Sequence, residues 1–334
     1  MADMKQIDPE LKLAAESEAK LMERVLNEVG KSGTVMEKVS ALRKVLGSVI
    51  PSENKATIPS KGMFWKEIEF LNHDGVHNIR MRVYRPSTET DKLACVYHIH
   101  GGGMMFGGIN EEDEIMQQLS NNLNAIVVNV EYRLAPENPY PAGLNDCYDG
   151  IRWVFRNADQ LNIDRSRIGI MGESAGGGLA AAVTLLARDR GELEILFQSL
   201  IAPMIDDKSD TLSAREFSGI WPSWNLELAQ LGWKAVLGEF SDSRSVPEYA
   251  APFRAENLEG LPPTYVEVTE LENFRDEDIE YGLRMMRSGV PVELHVYPGA
   301  FHCWYENLPN AELTIRAISN RMAWMRKQLT KTQG

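Results

Sequence analysis

The ten residues Ile168-Gly-Ile-Met-Gly-Glu-Ser-Ala-Gly-Gly177 constrain the fold more than any other stretch of the chain. A short apolar run stops at a serine set between glycines, and the alanine-rich stretch Leu179 to Ala187 follows at once. β-Branched residues before the turn and strong helix formers after it predict strand, sharp turn and helix, with Ser174 at the apex. The spacing Gly172-x-Ser174-x-Gly176 fits a nucleophile elbow, where the serine backbone is strained and a Cβ at either glycine would collide with neighbouring backbone. The five-residue pattern alone would arise by chance roughly 0.1 to 0.2 times in a chain of this length, so its strand-to-helix context carries the weight.

Around the elbow, short β-rich runs alternate with helical stretches. The runs are Phe64 to Leu71, Ile79 to Tyr84, Leu93 to Ile99, Ala125 to Val130, Arg167 to Met171, Ile195 to Ile201, Pro263 to Val268 and Val292 to Tyr297. Asp74-Gly75 marks a turn between the first two. Helical stretches near Glu112, Asp146, Gly178, Asp276 and Ala311 alternate with the later runs, which predicts an α/β domain with a mostly parallel, eight-stranded sheet. The acidic run Glu111 to Glu114 reads as a helix amino terminus favoured by the helix dipole. Ahead of the sheet, Asp8-Pro9 is a helix start, with Leu21, Met22, Val25, Leu26 and Val29 on one face before Gly30. Thr34-x-x-Glu37 has capping-box spacing and opens a second helix with the stripe Val35, Val39, Leu42 and Leu46.

The 334 residues carry a net charge of -13 and a pI near 5.1, which argues against a surface that tracks nucleic-acid phosphates. Apolar runs are too short to span a bilayer and the amino terminus lacks a signal-peptide pattern, so a soluble cytoplasmic protein is expected. Three cysteines without CxxC spacing suggest neither a disulfide framework nor a zinc site.

His100-Gly-Gly-Gly103 directly follows a strand-like run. Three glycines there are costly in entropy unless the backbone must approach something closely or present its N–H groups. An oxyanion hole needs that geometry, with Gly102, Gly103 and Ala175 as donors. A serine nucleophile also needs a base and a carboxylate to orient it. Among the six histidines, His302 in Pro298-Gly-Ala-Phe-His302 lies just past the last run, where a loop at a strand's carboxyl end reaches the elbow. The acid is expected in Thr269-Glu-Leu-Glu-Asn-Phe-Arg-Asp276, with Glu272, Glu270 and Asp276 as candidates. His98 and His100 alternate like metal ligands, but no cysteine or acidic cluster accompanies them in sequence, so no metal or other cofactor is expected. Between Asp206 and Pro252 a polar, aromatic-rich stretch interrupts the alternation, and Phe217, Trp221 and Trp224 are its candidate substrate-contacting residues.

Together, His100-Gly-Gly-Gly, Gly172-Glu-Ser-Ala-Gly-Gly177, Tyr132-Arg-Leu-Ala-Pro-Glu137 and the Phe301-His302 loop resemble the hormone-sensitive-lipase family of esterases. The resemblance runs from about residue 64 to the end. It implies an α/β-hydrolase core over 63–205 and 251–334, with a helical cap from 1–62 and 206–250. It further implies Ser174 as nucleophile, His302 as base and a homodimer, while a lid of about sixty residues with several tryptophans points to a closed apolar pocket and hence a small ester of short to medium acyl chain. The family's acid loop usually reads Asp-Pro-Leu-Arg-Asp-Glu; here Glu272-Asn-Phe-Arg-Asp-Glu277 puts a longer glutamate in the acid position. Family members that catalyse elimination or dehydration often alter the nucleophile, and receptors on the scaffold often lose the histidine. Both residues are present here.

Overall fold

The β-rich runs become eight strands: β1 (Met63–Leu71), β2 (Asn78–Pro86), β3 (Leu93–Ile99), β4 (Ile126–Glu131), β5 (Ile163–Glu173), β6 (Gln198–Ile201), β7 (Thr264–Leu271) and β8 (Val292–Phe301). The computed structural model describes residues 4–31, 33–48, 63–86, 92–240, 245–306 and 308–330. The strands form one sheet in the order β1-β2-β4-β3-β5-β6-β7-β8. The β1–β2 hairpin is antiparallel and β2 meets β4 antiparallel; every pairing from β4 to β8 is parallel. A tight turn closes the hairpin, with Asn72 N–H donating to the His77 carbonyl at 2.8 Å. Every residue of β3 is buried, as expected for a central parallel strand covered on both faces.

Nine α-helices lie among the described residues: α1 (Lys12–Gly30), α2 (Val35–Gly47), α3 (Asp113–Leu123), α4 (Ala142–Arg156), α5 (Ala175–Arg190), α6 (Leu212–Glu216), α7 (Leu226–Leu237), α8 (Arg275–Arg287) and α9 (Glu312–Leu329). All residues of α5 from Ala175 to Ala187 are buried, so its alanines and glycines let it sit deep against the sheet. The helix after the acidic run forms, but Asp113 does more than face the dipole. It is buried with Arg82 and Tyr84 of β2, which ties α3 to the sheet. On the opposite flank, Arg321 of α9 pairs with Glu267 of β7 at 2.7 Å, both side chains buried.

The capping box of α2 is present, with Glu37 N–H donating to Thr34 Oγ1 and the Glu37 carboxylate accepting from Thr34 N–H. The helix start expected at Asp8-Pro9 requires correction, because α1 begins only at Lys12. Asp8 N–H donates to the Gly299 carbonyl at 3.0 Å, and the Asp8 carboxylate accepts from Glu10 N–H instead of capping a helix. Residues 9–11 form a turn ahead of the helix, with Leu11 N–H donating to the Asp8 carbonyl at 2.9 Å. α1 packs on α2, and α2 packs on α7. The expected boundary at residue 62 lies outside the described residues, as do 241–244 of the expected 206–250 segment. Among the described residues, no helix is long and apolar enough to cross a membrane.

Parallel strands point the same way, so the loops after β3, β5, β7 and β8 open on one edge of the sheet. Register keeps their ends level: Ile99 pairs with Gly172, and Leu271 with Phe301.

Candidate active site

Ser174 sits where β5 turns into α5, with φ 53° and ψ -121°, a backbone conformation that side-chain-bearing residues rarely adopt. The neighbourhood enforces it. Ser174 N–H donates to the Ile201 carbonyl, and the Ser174 carbonyl accepts from Met204 and Gly178 N–H at 2.9 and 3.1 Å. A Cβ at Gly172 would lie 2.2 Å from the Gly176 carbonyl oxygen, and one at Gly176 would lie 2.0 Å from that of Ile99. Glycines are required at both places by contact with backbone that cannot withdraw.

The Ser174 hydroxyl lies 2.9 Å from His302 Nε2. On the other side of the ring, His302 Nδ1 makes a short bond to Glu272 Oε2. With Nδ1–H given to the carboxylate, Nε2 is left to accept the serine proton. Glu272 is fully buried, and its second oxygen is held by Thr269 N–H at 3.1 Å. Phe274 meets the imidazole edge-on with ring centroids 5.5 Å apart, fixing the ring plane. The rival acids are engaged elsewhere. Glu270 Oε2 accepts from Gly299 N–H at 2.8 Å, and Asp276 accepts from Ser213 N–H and from Arg275.

The glycine loop after β3 folds back on itself, with the Gly102 carbonyl accepting from both Met105 and Phe106 N–H. Gly102 has φ +102° and a Cβ there would lie 2.1 Å from the Phe106 carbonyl oxygen. Gly103 has φ +59°, and its Cβ would lie 2.5 Å from Trp224 Cη2. Gly101 approaches the elbow itself, where a Cβ would meet the Glu173 carbonyl at 3.3 Å. His100 serves this loop: burial pulls its imidazole down to about 4, so it is neutral, Nδ1–H donates to the Gly101 carbonyl, and its ring stacks on Tyr132. The Tyr132 hydroxyl donates to the His100 carbonyl at 3.1 Å, so the Tyr132–Glu137 turn supports the loop from behind.

The three aromatic candidates separate. Trp224 is brought to the site, packed over Gly103 and with its ring 6.5 Å from that of His302. Phe217 and Trp221 are not placed with it; they fill a cluster with Ile7, Leu11, Leu271 and Phe301, and Trp221 Nε1–H donates to the Leu271 carbonyl. Their place in the structure is packing behind the acid loop, which corrects the expectation that they face substrate.

His98 also requires a correction. Glu112 and Glu173, distant in sequence, bring ligand-type atoms within 4.8 Å of it and of one another. Hydrogen bonds from the protein serve the group: Asn129 Nδ2–H donates to Glu112, and the Tyr305 hydroxyl donates to Glu173 at 2.7 Å. Burial and the nearby Glu173 hold the Glu112 carboxyl well above the usual range, and burial lowers His98, so the group favours a neutral acid beside a neutral imidazole. Tyr305, which anchors the residue before the nucleophile, has no motif in the sequence to mark it.

A sequence model of the alpha/beta hydrolase fold matches residues 96–306. The chain is 37% identical to a carboxylesterase of Mycobacterium tuberculosis over 234 residues, covering 70% of this chain and 73% of that protein. It is 36% identical to an arylesterase of Saccharolobus solfataricus over 217 residues, covering 65% and 69%. Its structure resembles that of a bacterial heroin esterase with a TM-score of 0.87 at 35% identity, over 98% of this chain and 99% of that one.

Proposed function

Because the chain belongs to the alpha/beta hydrolase fold family, in its hormone-sensitive-lipase branch, and is a carboxylic ester hydrolase, we propose that Ser174, His302 and Glu272 perform the hydrolysis as a triad. The observation that carries this reading is the continuous hydrogen-bonded path from Glu272 through His302 to the Ser174 hydroxyl. As Oγ attacks the acyl carbonyl, Nε2 takes its proton and the carboxylate stabilises the imidazolium that forms. N–H groups of Gly102, Gly103 and Ala175 receive the negative charge that develops on the carbonyl oxygen. Collapse expels the alcohol, which takes the proton from Nε2, and leaves an acyl group on Ser174. Water then repeats the sequence and frees the acid.

The helices α1 and α2, with residues 206–240 and 245–250, form a lid over this edge of the sheet. The packing of α2 on α7 and of Trp224 on Gly103 supports that assignment. Ser174 is only 4% exposed, which suits a substrate small enough to be enclosed. Beyond Met104, Leu179, Val236, Tyr140 and Leu144 line a small cleft; Ser174 and His302 do not line it. It meets the oxyanion loop at Met104, where an acyl chain leaving the serine would enter it. These features favour esters of short to medium acyl chain. Turnover of chromogenic esters from acetyl to long chain, by wild type and Ser174→Ala in parallel, tests the reading. Hydrolysis by wild type alone, with an optimum at short or medium chains, is expected. A folded wild type inert toward every ester would dismiss it.

A further inference from the structure

Arg43 stands on α2 beside the apolar stripe, next to Leu42 and one turn from Val39 and Leu46. Its guanidinium does not reach for solvent. Nε–H donates to the Met105 carbonyl at 2.7 Å, Nη2 donates to the Ala135 carbonyl at 2.9 Å, and both Nη atoms bind the Glu137 carboxylate at 2.6 and 2.9 Å. One planar side chain thus joins three groups from two separate segments. Those segments are already linked, since Ala135 N–H donates to the Met104 carbonyl at 2.9 Å.

We propose that Arg43 is a positioning residue for ester hydrolysis, holding the oxyanion loop in its working shape only while α2 is seated on the core. The inference rests on the triad and oxyanion assignment above. Residues 102–106 form one tight turn, in which the Gly102 carbonyl accepts from Met105 and Phe106 N–H. Fixing the Met105 carbonyl from outside therefore fixes the orientation of that turn, and with it the direction of the Gly102 and Gly103 N–H groups. Two observations separate this role from simple stabilisation. First, the Arg43–Glu137 pair is 31% and 44% exposed, and ion pairs so open to water contribute little to stability. Second, the geometry uses the flat guanidinium fork, with the carboxylate bound by two parallel bonds and two carbonyls bound along other edges, which an ammonium cannot reproduce. Since α2 also packs on α7, which carries Gly232 against the Gly103 carbonyl, opening of these helices and slackening of the loop are one event.

The test compares wild type with Arg43→Ala and Arg43→Lys, measuring kcat, KM and the affinity for a trifluoromethyl ketone, which mimics the tetrahedral state. Arg43→Ala should lower kcat about 10- to 100-fold and weaken the ketone by the same factor, with KM moved less than about threefold. Arg43→Lys should stay near Arg43→Ala, and added methylguanidinium should restore part of the lost kcat to Arg43→Ala but none to Arg43→Lys. The melting temperature of each variant controls for unfolding. Turnover and ketone affinity within about twofold of wild type would overturn the proposal, as would a loss of turnover that follows the melting temperature and is not rescued. Both outcomes leave an active wild type; a wild type inert toward all esters would instead remove the hydrolase mechanism, and this proposal with it.

Discussion

Gly103→Ala adds a single methyl group to the proposed oxyanion loop, and the structure gives its cost. At φ +59° an L-residue is strained, by about 1–2 kcal/mol. The new Cβ would also lie 2.5 Å from Trp224 Cη2 and 2.9 Å from Cζ2, inside any real contact. Trp224 is 6% exposed and sits immediately before Asn225, whose side chain caps α7, so the ring has little freedom to withdraw. The loop must give way instead. Displacing one oxyanion donor costs ~3 kcal/mol of transition-state stabilisation, about a hundredfold in kcat, while KM stays near its wild-type value because the charge exists only in the transition state. Steady-state kinetics on an acetyl ester measure this directly. Adding Trp224→Ala to Gly103→Ala removes the collision but not the backbone strain, and should return about tenfold of the lost turnover. A Gly103→Ala enzyme with Trp224 intact and kcat within about twofold of wild type would refute the role given to this loop.

Glu272→Ala should lower kcat by about 10³- to 10⁴-fold, as expected when the imidazole loses its orienting acid. Glu270→Ala should leave kcat within a few-fold and cost about 1 kcal/mol in a denaturant melt, since Gly299 N–H loses its acceptor; the reverse pattern would move the acid by two residues. Phe217→Ala and Trp221→Ala should each destabilise the fold by about 3–5 kcal/mol without shifting the acyl-length optimum, whereas Trp224→Ala should shift it toward longer chains. Burial pushes the Asp206 carboxyl up to about 6. Its contribution to stability is intact below the unfolded value near 3.9 and is lost as pH rises through about 6, a total of roughly 3 kcal/mol. Asp206→Asn should therefore melt higher than wild type at pH 8 and show no such gain at pH 4; an equal shift at both would exclude burial of this charge as the cause.

The eight strands were legible because most are local runs rich in apolar, aromatic or β-branched residues bounded by turn-forming residues. The residues proposed as the triad were legible for a related reason: each lies just past a strand, inside a short segment whose glycines or acids stand out. What the sequence hid depends on contacts between distant segments. The chain passes through a turn over residues 9–11 before α1 opens at Lys12, which the Asp8-Pro9 pair does not foretell. Phe217, Trp221 and Trp224 share one segment and one chemistry, and only packing separates the ring over Gly103 from the two behind the acid loop. His98 has no acidic neighbours in sequence but acquires Glu112 and Glu173 when β3, α3 and the elbow converge. Arg43 left one faint trace, a charge flanked by the apolar stripe of α2.

Trapping the covalent intermediate tests the central claim most directly. Wild type would be mixed with a fluorophosphonate, and separately with a slowly deacylating aryl ester, and the intact and digested protein weighed by mass spectrometry. One adduct per chain, located on Ser174, absent from Ser174→Ala and formed far more slowly by His302→Ala, is the predicted result. An adduct on another residue that tracks the loss of ester turnover, or full turnover by Ser174→Ala, would contradict it.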